Sequence, residues 1–168
     1  MFFGVSTLQS FHVLISFIGI ATGLIVLYGL IGSQKMSLMT AIFLITTLVT
    51  TLTGFLFPIT VFTPAIGVGI ISTIVMLACF YARYGQRMAG RWRGVYVITA
   101  VISLYLNVFV LVVQLFLKVP SLNALAPNGN EPPFAATQGA VLLFFLATGF
   151  LAWRRFNPNG PILFGRVA

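Results

Sequence analysis

Four polar side chains able to form strong hydrogen bonds interrupt long apolar stretches of this sequence: His12, Asn107, Gln114 and Gln138. An imidazole and three amides are suited to holding the polar head of a small ligand. Polar groups within hydrocarbon are functional candidates by default, and a pocket between helices is a usual ligand site. The simpler hypothesis is an interhelical clamp worth about 0.6 kcal/mol per hydrogen bond. The sequence leaves both open, and the clamp, which needs no cavity, is preferred.

The polar residues of one apolar stretch, 95–117, share a narrow face. They are Tyr96, Ser103, Asn107 and Gln114. At about 100° per residue, these positions fall within roughly 40° of one another on a helix. Because unpaired amides in hydrocarbon cost several kcal/mol each, this face must point toward other helices. Tyr96 and Ser103 therefore join the candidate pocket residues.

The residue inventory argues against catalysis, although it leaves the question of an enzyme open. With one histidine and one acidic residue, the chain holds no paired carboxylates, no nucleophile–histidine–acid set and no metal-binding cluster. Haem with two axial ligands needs a second histidine or a methionine near His12. We expect Met36, Met39, Met76 and Met88 to lie toward the other side of the membrane. No cofactor is therefore predicted, haem is not expected, and a quinone is the alternative ligand.

The composition places the chain in a lipid bilayer. Of its 168 residues, 60% are hydrophobic and 6% charged, and the mean hydropathy is +1.10. A soluble domain carries about 25% charged residues. The net charge of +8 comes from basic residues clustered between apolar stretches, which differs from the continuous basic face of a nucleic-acid-binding protein. We expect an integral membrane protein whose partner is the lipid bilayer, with no nucleic acid.

The apolar stretches predict an all-α bundle of five transmembrane helices within a single domain, 1–168. The predicted spans are about 8–31, 38–57, 65–83, 95–117 and 134–153. Pro58 and Pro64 bracket the connection between the second and third spans. Residues 1–11 contain no Lys or Arg, so we expect the first span to be retained rather than cleaved.

The basic residues predict the orientation of the bundle. If the N-terminus is outside and the C-terminus inside, eight of the nine basic residues lie inside and only Lys118 lies outside. The inner side then carries residues expected to anchor the chain to anionic lipid headgroups: Arg83, Arg87, Arg91, Trp92, Arg93, Arg154 and Arg155. The same orientation brings His12, Asn107, Gln114 and Gln138 to the outer leaflet, where we expect them to meet beneath the loop 118–133.

Small and hydroxylated residues indicate close helix packing. Gly19 and Gly23 form a Gly-x-x-x-Gly pair in the first span, and the second span has a small polar face of Thr40, Thr47, Thr51 and Gly54. Packing is the first interpretation of these faces, and lining of a polar cavity is the second for the threonines. Assembly of a homo-oligomer, or with a membrane partner, would use the same faces.

Several segments resemble a group of small multi-pass inner-membrane proteins of bacteria that have no assigned function. The segments are GFLFP (54–58), FTPAIGVGI (62–70), YLNVFVLVVQLFLKVP (105–120) and EPPF (131–134). The resemblance implies a bacterial inner membrane and no chemistry. The chain differs from four-helix cytochromes of the b561 type in having one histidine and five predicted spans. A structural or accessory role is the first hypothesis. Alternatives are binding of a lipophilic ligand and a pore or carrier for a neutral solute.

Overall fold

A computed structural model describes residues 7–57 and 64–160 of the chain. Its helices are α1 (Thr7–Ile31), α2 (Ser37–Gly54), α3 (Pro64–Phe80), α4 (Arg91–Lys118), α5 (Pro120–Asn123) and α6 (Pro132–Arg155). Within these described ranges, five helices are long and apolar enough to cross a membrane: α1, α2, α3 with its extension, α4 and α6. The predicted all-α membrane bundle is confirmed, and the protein is an integral membrane protein.

The helix boundaries differ by a few residues from the sequence-based spans. α2 ends at Gly54, three residues early, and α4 begins at Arg91, four residues before its predicted start. A π-helical turn over Tyr81–Gly85 extends α3. α6 begins with Pro132 at a position where a missing N–H costs nothing. The predicted connection 58–63 lies outside the described residues, as do 1–6 and 161–168.

α4 is the central helix of the bundle. It packs against α1, α3 and α6, whereas α1 and α2 form the most extensive helix pair. α3 contacts α2 and α4 but makes hardly any direct contact with α1. A gap is therefore left between α1 and α3, with α2 on one side and α4 on the other.

Close packing is concentrated in one half of the bundle. We call the end that carries Arg83–Arg93 the arginine end and the opposite end the Lys118 end. Leu44, Met76 and Val97 are completely buried, and Tyr96 is 1% exposed. All four lie toward the arginine end, because α2 begins there, α3 ends there and α4 begins there. The half nearer Lys118 has few fully buried large side chains among the described residues.

The glycine face of α1 is used within the chain. Gly19 lies against α2, where an added Cβ would approach the hydroxyls of Thr46 and Thr47 at 3.2 and 3.3 Å. At Gly23, an added Cβ would lie 2.6 Å from Leu104 and 2.9 Å from Phe43. This face therefore packs α1 against α2 and α4 and is not presented to a second copy of the chain.

Several of the expected headgroup anchors have contacts inside the protein, among them Arg83 and Arg93. The guanidinium carbon of Arg83 lies 5.1 Å from the ring centre of Tyr96 and 5.5 Å from that of Tyr84. Arg93 donates from Nη1 to the backbone oxygens of Trp153 (2.8 Å) and Phe156 (2.7 Å). Since carbonyls at the end of a helix lack partners within that helix, Arg93 caps α6.

Replacing Arg93 with glutamine should lower the free energy of unfolding by about 1–2 kcal/mol, because two carbonyls at the end of α6 lose a charged donor. Titration with sodium dodecyl sulfate followed by circular dichroism measures this loss. Arg91→Gln, at an exposed arginine two residues away, is the matched control and should change stability by less than about 0.5 kcal/mol. Equal losses in the two variants would contradict the capping role.

Candidate functional site

A cavity of about 710 Å³ fills the gap between α1 and α3 in the half of the bundle nearer Lys118. Its walls come from α1, α2, α3 and α4 and are mostly apolar. Its polar lining residues are Gln9, His12, Ser16, Thr50, Thr51, Ser72, Asn107, Gln114 and Lys118. On α4 the lining runs from Leu106 to Lys118, which corresponds to about 18 Å of helix at 1.5 Å per residue.

His12 is held on the α1 wall by contacts with the end of α2. Its Nδ1 lies 2.9 Å from Oγ1 of Thr53. The imidazole also packs edge-on against the ring of Phe57, with 5.3 Å between ring centres. The ring is half-buried. A hydrogen bond on one side and an aromatic contact on the other limit its rotation, so one ring orientation is presented to the cavity.

Asn107 lies at the deep end of the cavity and joins two of its walls. Its Nδ2 donates to Oγ1 of Thr47 across the interface of α4 and α2, at 3.1 Å. Thr47 is 1% exposed and Asn107 is partly buried, so this interhelical bond is part-buried. Asn107 is therefore both a clamp between helices and part of the cavity floor. His12 has the same double role between α1 and α2, and the two sequence-based hypotheses do not exclude each other here.

The mouth of the cavity carries positive charge and no acidic side chain among the described lining residues. Gln114 and Lys118 are exposed lining residues near the end of α4. Glu131, the only acidic residue of the sequence, accepts hydrogen bonds within the loop before α6. It accepts from the backbone N–H of Asn128 (2.9 Å) and from that of Asn130 (3.0 Å), which holds the pKa of this carboxyl below its usual range. The cavity is thus suited to neutral or anionic polar groups.

The remaining three predicted pocket residues lie elsewhere. Gln138 donates from Nε2 to the backbone oxygen of Phe109 at 3.1 Å, and so joins α6 to α4 on the side away from the gap. Tyr96 and Ser103 are each 1% exposed within the packed half of the bundle. The Ser103 hydroxyl donates to the backbone oxygen of Thr99 at 2.8 Å. The structure therefore brings together His12, Asn107 and Gln114, and leaves Gln138, Tyr96 and Ser103 outside the cavity.

Much of the cavity wall consists of small residues on α2 and α3 that a search for strongly polar side chains does not find. Thr51 and Gly54 line it from α2, and Ala65, Gly69 and Ser72 line it from α3. Their signal in the sequence is the recurrence of small residues at three- and four-residue spacing in both helices, which also indicates simple packing. Gln9, one turn before His12, is a further polar lining residue.

The lining favours binding over bond-breaking chemistry. Apolar walls with a few polar groups are typical of sites for small organic molecules. His12 is the only histidine of the sequence, and no three potential metal ligands come together in residues 7–57 and 64–160. The imidazole can exchange a hydrogen bond or a proton with a ligand, and the amides can orient it.

Comparison of the chain with protein-family models, with curated proteins and with solved structures finds no match. A functional assignment therefore rests on the cavity and the side chains around it.

Proposed function

We propose that this protein binds a small lipophilic molecule with a polar head, of the quinone class or similar, in the cavity between α1 and α3. The observation that carries the proposal is the cavity itself, because an interhelical clamp needs no such space. Its volume of about 710 Å³ lies within the range of about 300–1,000 Å³ that is usual for ligand sites. The apolar walls would hold the tail or ring, and His12, Asn107 and Gln114 would hold the polar head.

The distribution of packing favours binding over conduction. The cavity lining reaches Asn107 on α4, and beyond it toward the arginine end Leu104 and Tyr96 are each 1% exposed. A solute entering from the Lys118 end therefore meets closely packed side chains about halfway across. A pore or carrier would need this packed half to open. With the orientation expected from the basic residues, the cavity would open in the outer leaflet of a bacterial inner membrane.

Filling the cavity should prevent binding without disturbing the bundle. An added Cβ at Gly54 would lie 3.8 Å from Cε1 of His12, which is ordinary contact, so Gly54→Leu can project into the space. We expect affinity for 4-heptylphenol, a soluble amphiphile with a hydroxyl head, to fall at least about tenfold, equivalent to 1.4 kcal/mol. Isothermal titration of nanodisc-embedded protein, corrected for empty nanodiscs, measures this affinity.

Gly139→Leu is the matched control for Gly54→Leu. Gly139 is outside the cavity lining, and a Cβ added there has nothing within 4 Å. The affinity of the Gly139→Leu variant for the phenol should stay within about twofold of the affinity of the unchanged protein, a difference below about 0.5 kcal/mol. If neither the phenol nor a lipophile co-purified with the protein binds, the proposal fails and a structural or accessory role is favoured. Equal weakening by both substitutions would also contradict binding in this cavity.

A further inference from the structure

We infer that His12 presents an unprotonated Nε2 to the cavity, and that the site therefore selects ligands whose polar head carries an O–H or N–H donor. This inference rests on the proposed function and names the chemistry of its ligand. A quinol, phenol or alcohol would meet the requirement. A quinone or an ether only accepts hydrogen bonds, so within the quinone class the reduced quinol is expected to bind more tightly than the quinone.

The tautomer of His12 follows from the hydrogen bonds of Thr53. The single hydroxyl hydrogen of Thr53 is directed at backbone oxygens of its own helix, at 2.8 Å from Val49 and 3.1 Å from Thr50. Its Oγ1 can then only accept from Nδ1 of His12, 2.9 Å away. Nδ1 therefore carries the hydrogen, and in the neutral ring Nε2 has a free lone pair.

The surroundings of His12 favour the neutral ring. Lys118, a cation, lines the same cavity, and the only acidic residue of the sequence, Glu131, accepts its hydrogen bonds from Asn128 and Asn130. Nε2 of His12 makes no hydrogen bond to residues 7–57 or 64–160, whereas Nδ1 does. Within these described ranges the remaining acceptor of the imidazole has no partner, which makes it the acceptor available to a ligand.

Two lining hydroxyls on the same side of the cavity, those of Ser16 and Thr51, can act as acceptors as well. Ser16, one turn from His12, donates to the backbone oxygen of His12 at 2.6 Å. Thr51 of α2 donates to the backbone oxygen of Thr47 at 2.9 Å. Because each hydroxyl has one hydrogen, these bonds leave lone pairs to face the cavity. Ser16 on α1 and Thr51 on α2 therefore add acceptors near His12. The lining side chains that carry N–H donors are Gln9 on α1 and Asn107, Gln114 and Lys118 on α4.

The tautomer can be measured before any ligand is added, because the sequence contains one histidine. In nuclear magnetic resonance spectra of the full-length protein in nanodiscs, 15N-labelled histidine gives one signal for Nδ1 and one for Nε2. At pH 8, above the ordinary histidine pKa of about 6.5, we expect Nδ1 protonated and Nε2 unprotonated. Thr53→Val should reduce the Nδ1-protonated form, and Thr22→Val, at a hydroxyl bonded only to its own helix, should leave it unchanged. A protonated Nε2 in the neutral ring would overturn the inference.

Ligand selection is measured with 4-heptylphenol and its methyl ether, 4-heptylanisole. We expect the phenol to bind at least about tenfold more tightly than the ether, and to shift the Nε2 signal while the ether leaves it in place. His12→Phe should reduce the preference to about twofold or less. If both probes bind equally, donor selection is wrong and the proposed function survives. If neither binds, the proposed function fails. The tautomer measurement still tests which ring nitrogen of His12 carries the hydrogen.

Discussion

Replacing Phe145 with alanine is expected to lower the free energy of unfolding by about 3 kcal/mol and to loosen α6 from the bundle. Phe145 is 5% exposed and packs against Tyr105, with 5.8 Å between ring centres. Losses of 3–5 kcal/mol are usual for buried Phe→Ala changes. We expect the lower end of this range, because lipid tails are as apolar as the protein interior and only packing is lost.

The effect should be large because α6 is attached by few buried residues. Phe145 and Ala152 are its two buried positions in the part of the helix that the structure describes. Gly149 lies between them along the helix, where an added Cβ would approach Val101 of α4 at 3.0 Å. Loss of the Phe145 ring removes the largest buried side chain of α6. The middle of the helix then keeps the half-buried Val141, the Gly149 contact and the bond from Gln138 to Phe109.

Phe144→Ala is the matched control for Phe145→Ala. Phe144 is the preceding residue of the same helix and is 51% exposed, facing the lipid side. Its removal should change the free energy of unfolding by less than about 1 kcal/mol. Detergent titration measures stability, and hydrogen exchange should rise along α6 for Phe145→Ala alone. Similar losses in both variants would show that α6 is not docked through Phe145.

The second large effect is expected at the crossing of α1 with α2 and α4. Gly23→Ala places a methyl group 2.6 Å from Leu104 and 2.9 Å from Phe43, distances at which neighbouring atoms must move. Overpacking of this kind costs about 1–3 kcal/mol. Gly139→Ala, where an added Cβ meets nothing within 4 Å, measures the intrinsic effect of the same change in a helix.

A double-mutant cycle separates overpacking from other causes. Leu104→Ala alone should cost about 2 kcal/mol, the lower end of the usual range for buried leucines, because Leu104 is 1% exposed and a void remains while lipid is as apolar as the protein interior. Combined with Gly23→Ala, the total should fall short of the sum by at least about 1 kcal/mol, since the new methyl group occupies part of that void. Strict additivity of the two changes would rule out steric conflict between the new methyl group and Leu104 as the source of the cost.

The helices of this protein are determined largely by the sequence itself. Long apolar runs between prolines, glycines and basic loops specify five spans, since backbone groups in hydrocarbon must satisfy one another within a helix. The inward direction of Asn107 also follows from the sequence, because an amide on a lipid-facing surface would lack a partner. The same rule places His12 and Gln138 at helix interfaces, where His12 contacts Thr53 and Gln138 contacts Phe109.

Which polar residues share a space depends on how the helices pack against one another. Hydropathy and charge predict the direction of each helix and the depth of each residue in the membrane. They do not predict which helices are neighbours. Gln138 was expected beside His12, yet α6 packs on the face of α4 turned away from the gap, so Gln138 is outside the cavity. The cavity exists because α1 and α3 are held apart by α2 and α4. Thr51 and Gly54 belong to the threonine face for which cavity lining was the second interpretation, whereas Ala65 and Gly69 of α3 carry no polar signature in the sequence. The orientation of the His12 ring likewise depends on Thr53, forty-one residues away, and on where the hydrogen of that hydroxyl is directed.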